Sequence, residues 1–160
     1  MDGSTIKKLL VVAVVLVLLL LYNIYPLFLP SEHLTLDDTK EVSCITFFLT
    51  DDMDAFVRKQ TIDDYMAFLK RLDVAEVGQP PLSLGFGGKT ECYISYTDES
   101  PDDVIIYKNG ILQVYNKENP EKSRYYAVKS IDSLLLKKDP FRAYIMSFRE
   151  KMEKEYQEMQ

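Results

Sequence analysis

Residues 104–115 read V-I-I-Y-K-N-G-I-L-Q-V-Y, two β-rich runs joined by Asn109-Gly110. Asn-Gly is the strongest short hairpin signal, because both residues tolerate the positive φ that a two-residue type I′ turn demands. With that loop Tyr107 faces Leu112 and Ile105 faces Val114, so these four predict a core-facing side. A lone hairpin is only marginally stable in water, so further strands and a covering layer are required.

Working outward, Glu91–Thr97 alternates, with Cys92, Ile94 and Tyr96 on one face and Glu91, Tyr93 and Ser95 on the other, the pattern of a strand with one buried side. Glu41–Leu49 (E-V-S-C-I-T-F-F-L) is β-branched and aromatic and predicts another strand. Asp51-Asp52-Met53-Asp54 predicts a turn, with Ala55–Arg58 returning as a short partner. Residues 116–124 read as a polar loop and Tyr125–Lys129 as a last strand. Thr61 and Asp64 resemble a capping box. Ile62, Tyr65, Met66, Leu69 and Leu72 then recur at helical spacing, predicting a helix over 62–73 that Gly78, Pro80 and Pro81 end. Ser130 predicts the cap of a short helix over 131–136. Asp139-Pro140 predicts the N-cap and first position of another, with Phe141, Tyr144, Ile145, Phe148 and Met152 as its apolar stripe.

The N-terminus carries a different signal. Leu9–Leu21 is thirteen consecutive apolar residues, and Ile24, Leu27, Phe28 and Leu29 extend the run. At about 1.5 Å per residue, Leu9–Leu29 covers roughly the 30 Å hydrocarbon core of a bilayer. Tyr22 and Tyr25 suit an interface, and Pro26 suits a helix end. Between Val17 and Ser31 there is no Ala, Gly or Ser for signal peptidase and no lipoprotein Cys, so an uncleaved anchor is preferred over a cleaved signal or a buried core helix. Lys7 and Lys8 flank the near side, whereas the first basic residue beyond is Lys40, placing the N-terminus in the cytoplasm and residues from about 31 outside.

The expected fold class is α+β: a single transmembrane helix, then a small antiparallel sheet of about five strands packed on two helices. The expected division is a cytoplasmic N-terminus over 1–8, an anchor over 9–29, a polar stalk over 30–40, an extracytoplasmic domain over 41–149 and a charged helical tail over 150–160. With 19 basic against 25 acidic residues the chain is acidic, which argues against a nucleic-acid surface. Residues 31–104 hold 16 acids against 6 bases and residues 105–160 hold 11 bases against 8 acids, so the exposed part is expected to have an acidic and a mildly basic side.

Chemistry-bearing motifs are few. Gly85-Phe86-Gly87-Gly88-Lys89-Thr90 ends like a phosphate loop, but Ser83 stands where the first Gly belongs and strand residues follow where a helix must, so no nucleotide is expected. The Asp51/Asp52/Asp54 and Asp98/Glu99/Asp102/Asp103 clusters lack the Ca²⁺-loop spacing, because Ala55 and Phe56 follow Asp54 where a Gly belongs, and both read as solvated turns. No metal and no cofactor are expected. Cys44 and Cys92 are candidates for a disulfide on the oxidising side of a membrane; buried free thiols are the other reading, and strand parity leaves the choice open. His33, the single His, sits in the stalk, so neither a Cys nor a Ser nucleophile has an evident base. Eleven Tyr, many of them in strand segments, have two readings: filling of a half-buried sheet, which is preferred, and an exposed aromatic sheet surface for a partner, for which Tyr93, Tyr107, Tyr115 and Tyr126 are the candidates.

The basic N-terminus, the single anchor, T-I-D-D-Y-M-A-F-L-K-R-L, Y-I-S-Y, V-I-I-Y-K-N-G-I-L and Y-Y-A-V before a helix resemble uncharacterised membrane-anchored extracytoplasmic α+β domains of Gram-positive bacteria. The resemblance covers most of residues 41–136 and implies a small domain at the cell envelope, with no active-site residues to carry over. The expected function is therefore a non-catalytic, single-pass binding or accessory module with the lipid bilayer and a protein or cell-envelope component as partners. The alternatives are an immunity-type inhibitor acting through its acidic face and a small envelope enzyme.

Overall fold

A computed structural model describes residues 3–37, 39–49, 52–78 and 88–158. Within them the chain forms a long N-terminal helix, α1 (Gly3–Ile24), a 3-10 turn (Tyr25–Phe28) and then an α+β domain. The domain contains β1 (Val42–Leu49), β2 (Asp52–Phe56), α2 (Lys59–Lys70), β3 (Val74–Val77), β4 (Thr90–Tyr96), β5 (Asp103–Lys108), β6 (Ile111–Asn116), β7 (Asn119–Val128), α3 (Ile131–Leu134) and α4 (Pro140–Glu158). The strands form one open sheet in the order β2-β1-β4-β5-β6-β7-β3, every neighbouring pair antiparallel.

The Asn109-Gly110 hairpin has the expected register, Tyr107 opposite Leu112 and Ile105 opposite Val114, with φ of 53° and 85° at its two turn residues. The sheet has seven strands where about five were expected. Two of the differences lie in segments to which the sequence assigns no strand. Residues 119–124, read as loop, continue β7, because β6 supplies a hydrogen-bonding partner that composition does not reveal. Val74–Val77, between the end of the expected helix and Gly78, forms an edge strand on β7. The short partner of β1 spans Asp52–Phe56 and not 55–58; the start of the predicted turn, Asp51, lies outside the described residues, as do Pro80 and Pro81. The helix expected over 62–73 begins three residues earlier at Lys59, which puts Thr61 inside the first turn and buried rather than at the cap. Ser130 makes no capping bond through its side chain. Asp139 does cap α4, its Oδ1 accepting the N–H groups of Phe141 (2.9 Å) and Arg142 (3.1 Å), with Pro140 first in the helix.

The core lies between one sheet face and helices α2 and α4. Ile45, Phe47, Ile94, Ile105, Leu112 and Tyr126 come from the strands, Tyr65 and Leu69 from α2, and Phe141 and Ile145 from α4. Asp54 of β2 and Arg149 of α4 form an ion pair across this layer. The segment expected to be a free stalk is part of the domain. Glu32 bridges to Val74, its N–H donating to the Val74 carbonyl (2.8 Å), Leu34 is buried in the core cluster and Leu36 packs on it. Burial of Leu34 and partial burial of Leu36 favour docking of this segment on the domain.

α1 is long and apolar enough to cross a membrane, with a mean hydropathy of 2.6 over its best window, of which 6% is buried within the protein. Its apolar surface is thus left to surroundings outside the chain. Asn23, the first polar side chain after the run, donates to the Leu19 carbonyl (2.8 Å), which satisfies its amide inside the helix.

Gly110 is the residue the hairpin tolerates least well exchanged. An added Cβ would lie 2.8 Å from the Ser133 carbonyl oxygen and 3.1 Å from Leu134 Cδ2, and its φ is positive. Gly110→Ala is expected to cost about 1–3 kcal/mol and to lower the melting temperature by several degrees. Gly78→Ala, which meets nothing within 4 Å, is expected to leave it unchanged or slightly raised; thermal unfolding of the full chain in detergent by circular dichroism checks both.

Candidate functional site

Helices α2 and α4 pack on one sheet face, and the other face carries the side chains of opposite parity. Side chains alternate along each strand, so the residues that face away from the core follow directly from the register. One row runs Met53–Phe48–Glu91–Ile106–Gln113–Tyr125–Val77 across all seven strands. The next runs Thr46–Tyr93–Val104–Tyr115. Val104 is fully buried although it faces outward, directly opposite Tyr93 on one neighbouring strand and Tyr115 on the other. Phe48 meets Tyr93 edge-on at 5.3 Å and is itself 42% exposed.

A polar edge accompanies these rings. The Tyr93 O–H donates to Glu91 Oε2 (2.9 Å), and Glu91 is also paired with Lys89. The Lys89 ammonium, helped by the Tyr93 hydroxyl, holds the Glu91 carboxyl below its usual value. The same hydrogen bond, with a contribution from desolvation, pushes the Tyr93 phenol up to about 12, so its proton stays in place at neutral pH. Gln113 Nε2 donates to Ser123 Oγ (2.9 Å), and Val77, Gln113, Ser123 and Tyr125 border a shallow depression at the β3 edge. Half-buried aromatic rings with fixed polar tips suit recognition of another surface by contact and hydrogen bonding.

Of the four candidate surface tyrosines, Tyr93 and Tyr115 lie on this face. Tyr107 and Tyr126 do not: both are 1% exposed, on the inner row with Thr90 and Leu112. Tyr107 is oriented by its hydroxyl, which donates to the Lys138 carbonyl (2.6 Å). Sequence reading missed Phe48, Ile106 and Tyr125. The signal for the first two was strand parity; for Tyr125 it was the register of β7 against β6, which no local pattern carries.

Cys44 and Cys92 are both free, Cys92 facing the core and Cys44 the opposite side of the sheet. Cys44 shares the outer face with Thr46 and Phe48, as simple alternation from Ile45 to Leu49 requires, and a β-bulge between Val42 and Cys44 is what brings Val42 back onto the core side. Burial pushes the Cys92 thiol up to about 12, and the Tyr65 hydroxyl donates to its sulfur (3.5 Å). A thiol held protonated in the core is not a nucleophile at neutral pH. Asp98, Asp102 and Asp103 make local bonds, including Tyr96 O–H to Asp103 Oδ2 (2.6 Å) and Lys117 to Asp102. Among the described residues no group of three or more His, Cys, Asp or Glu is placed to hold a metal ion. Gly85–Gly87 of the glycine-rich run lies outside the described residues; Thr90 at its end opens β4 and makes a side-chain contact with Asp139.

Comparison with protein-family models, with curated proteins and with solved structures finds no match to this chain.

In the folded protein, thiol titration with an aromatic disulfide reagent is expected to modify Cys44 and leave Cys92 untouched, while denaturation without reductant releases two reactive thiols per chain. A single slow-reacting pair that appears only after reduction would contradict the placement of the two cysteines on opposite faces.

Proposed function

We propose that the chain is a single-pass membrane protein whose α+β domain, on the extracytoplasmic side, recognises a protein or cell-envelope partner through the aromatic face of its sheet, without catalysis of its own. The observation that carries this reading is the contrast between the two sheet faces. One is sealed by α2 and α4, and the other keeps Phe48, Tyr93, Tyr115 and Tyr125 at least partly accessible. Scattered exposed apolar residues need no explanation, but aromatic side chains in adjacent rows of one sheet are what partner surfaces use. The apolar α1 supports tethering to a bilayer, and the Lys7–Lys8 flank supports an inside N-terminus.

Two experiments test the parts separately. Protease added to intact cells is expected to digest the domain and spare an N-terminal tag; the reverse pattern overturns the orientation. A photo-crosslinker at Ser95, on the outer face beside Tyr93, is expected to give a discrete adduct in intact cells. Tyr93→Ala combined with Tyr115→Ala is expected to abolish that adduct while lowering stability only modestly. Tyr107→Ala, by contrast, removes a buried ring and is expected to cost about 3–5 kcal/mol. An adduct that survives the outer-face pair overturns the assigned surface.

A further inference from the structure

The end of α1 does not lead into a tether. Lys137 Nζ donates to Asn23 Oδ1 (3.1 Å), and Lys129 Nζ donates to the Leu29 carbonyl and to Ser31 Oγ (both 2.8 Å). Pro26 in the 3-10 turn is buried, and that turn packs beside β3 while α1 packs beside α3. The domain is thereby held against the very point at which the apolar run ends.

The same region exposes large apolar side chains. Ile131 is 55% exposed and Leu136 63%, at the start of α3 and just after it, with Phe28 77% exposed on the turn that follows α1. The Gly110 turn and the Tyr107 hydroxyl hold this segment from behind: the former lies against the Ser133 carbonyl, the latter bonds the Lys138 carbonyl. Lys138 is neutralised by Asp132 (3.1 Å), whereas Lys129 and Lys137 bond uncharged carbonyl, hydroxyl and amide oxygens. Rigid apolar side chains flanked by cations, next to the polar end of a membrane-length helix, match the chemistry of a headgroup layer, with chains below and phosphates above.

We infer that the 131–138 segment is a lipid seat: Ile131, Leu136 and Phe28 enter the interfacial layer around the end of α1, Lys129 and Lys137 face the headgroup phosphates, and the domain rides on the bilayer surface in one fixed orientation. This rests on the reading of α1 as a membrane span, and it goes beyond it by naming a second lipid contact made by the domain. The consequence is geometric. The seat is at the Gly110 end of the sheet, so the opposite end, with the Asn116–Asn119 turn and Val57, is directed away from the lipid.

The chain contains no Trp, so one introduced Trp reports on one position. Full-length protein carrying Val15→Trp, Leu136→Trp or Val57→Trp is reconstituted into vesicles of phosphatidylglycerol and phosphatidylcholine, with or without bromine on the acyl chains. The Val15→Trp and Leu136→Trp proteins are expected to lose emission when the brominated lipid is present, the latter most with bromine placed near the headgroup. The Val57→Trp protein is expected to be unaffected. If Leu136→Trp behaves like Val57→Trp while Val15→Trp is quenched, the seat is overturned and the anchor stands. If Val15→Trp is also unquenched, both fall. Ile131→Trp repeats the measurement at the other end of the segment, and its failure to quench overturns the seat even where Leu136→Trp perturbs folding.

Discussion

Tyr65 stands where the sheet and both long helices meet. Its ring lies edge-on to Phe47 of β1 at 4.9 Å and to Tyr144 of α4 at 5.4 Å, and it borders Phe68 on its own helix at 5.7 Å. From there the contacts continue, Phe68 stacking on Tyr144 at 4.6 Å and Phe56 reaching Phe148 at 4.8 Å. Aromatic pairs in edge-on or offset geometry add roughly 0.5–1.5 kcal/mol each beyond the area they bury. This seam decides which sheet face is covered, and the alternation of the strands then decides everything left on the other side.

Covering one face has two consequences for function. Residues of the opposite parity, Tyr93 and Tyr115 above all, are displayed on a rigid surface whose spacing is set by the strand ladder. The helices also occupy the inner face completely enough that Cys92, Tyr65 and Tyr107 serve packing and not chemistry. Two exposed features remain among the described residues: an aromatic sheet face, and a lysine-flanked apolar segment at the exit of α1.

The segment between α1 and β1 shows why polarity alone is a poor guide to tethers. Residues 31–40 look hydrophilic, yet Leu34 and Leu36 reach the core and Glu32 adds a bridge to the edge strand β3. An edge strand presents unpaired N–H and C=O groups, and a short bridge that covers them protects the sheet from other chains. Two apolar residues in a polar decapeptide suffice to turn a presumed linker into structure.

The apolar run, the Asn109-Gly110 turn, the Asp139-Pro140 cap and the stripes of α2 and α4 were legible in the sequence, because each depends on residues within one turn or one strand of one another. The first half of β7 was not, since polar residues become strand only when a neighbour supplies the ladder, nor was β3, whose four residues are too few to show a period. Nor was the fate of the tyrosines: Tyr125 and Tyr126 are adjacent and chemically identical, and only the pairing of β7 with β6 sends one outward and the other into the core. The same holds for Val42, which a bulge that breaks the two-residue period turns onto the core side. Local signals determined the elements and the membrane-length helix. Long-range register decided the exposed face and the docking of the domain on the end of α1, because a shift of one residue inverts every side chain it carries.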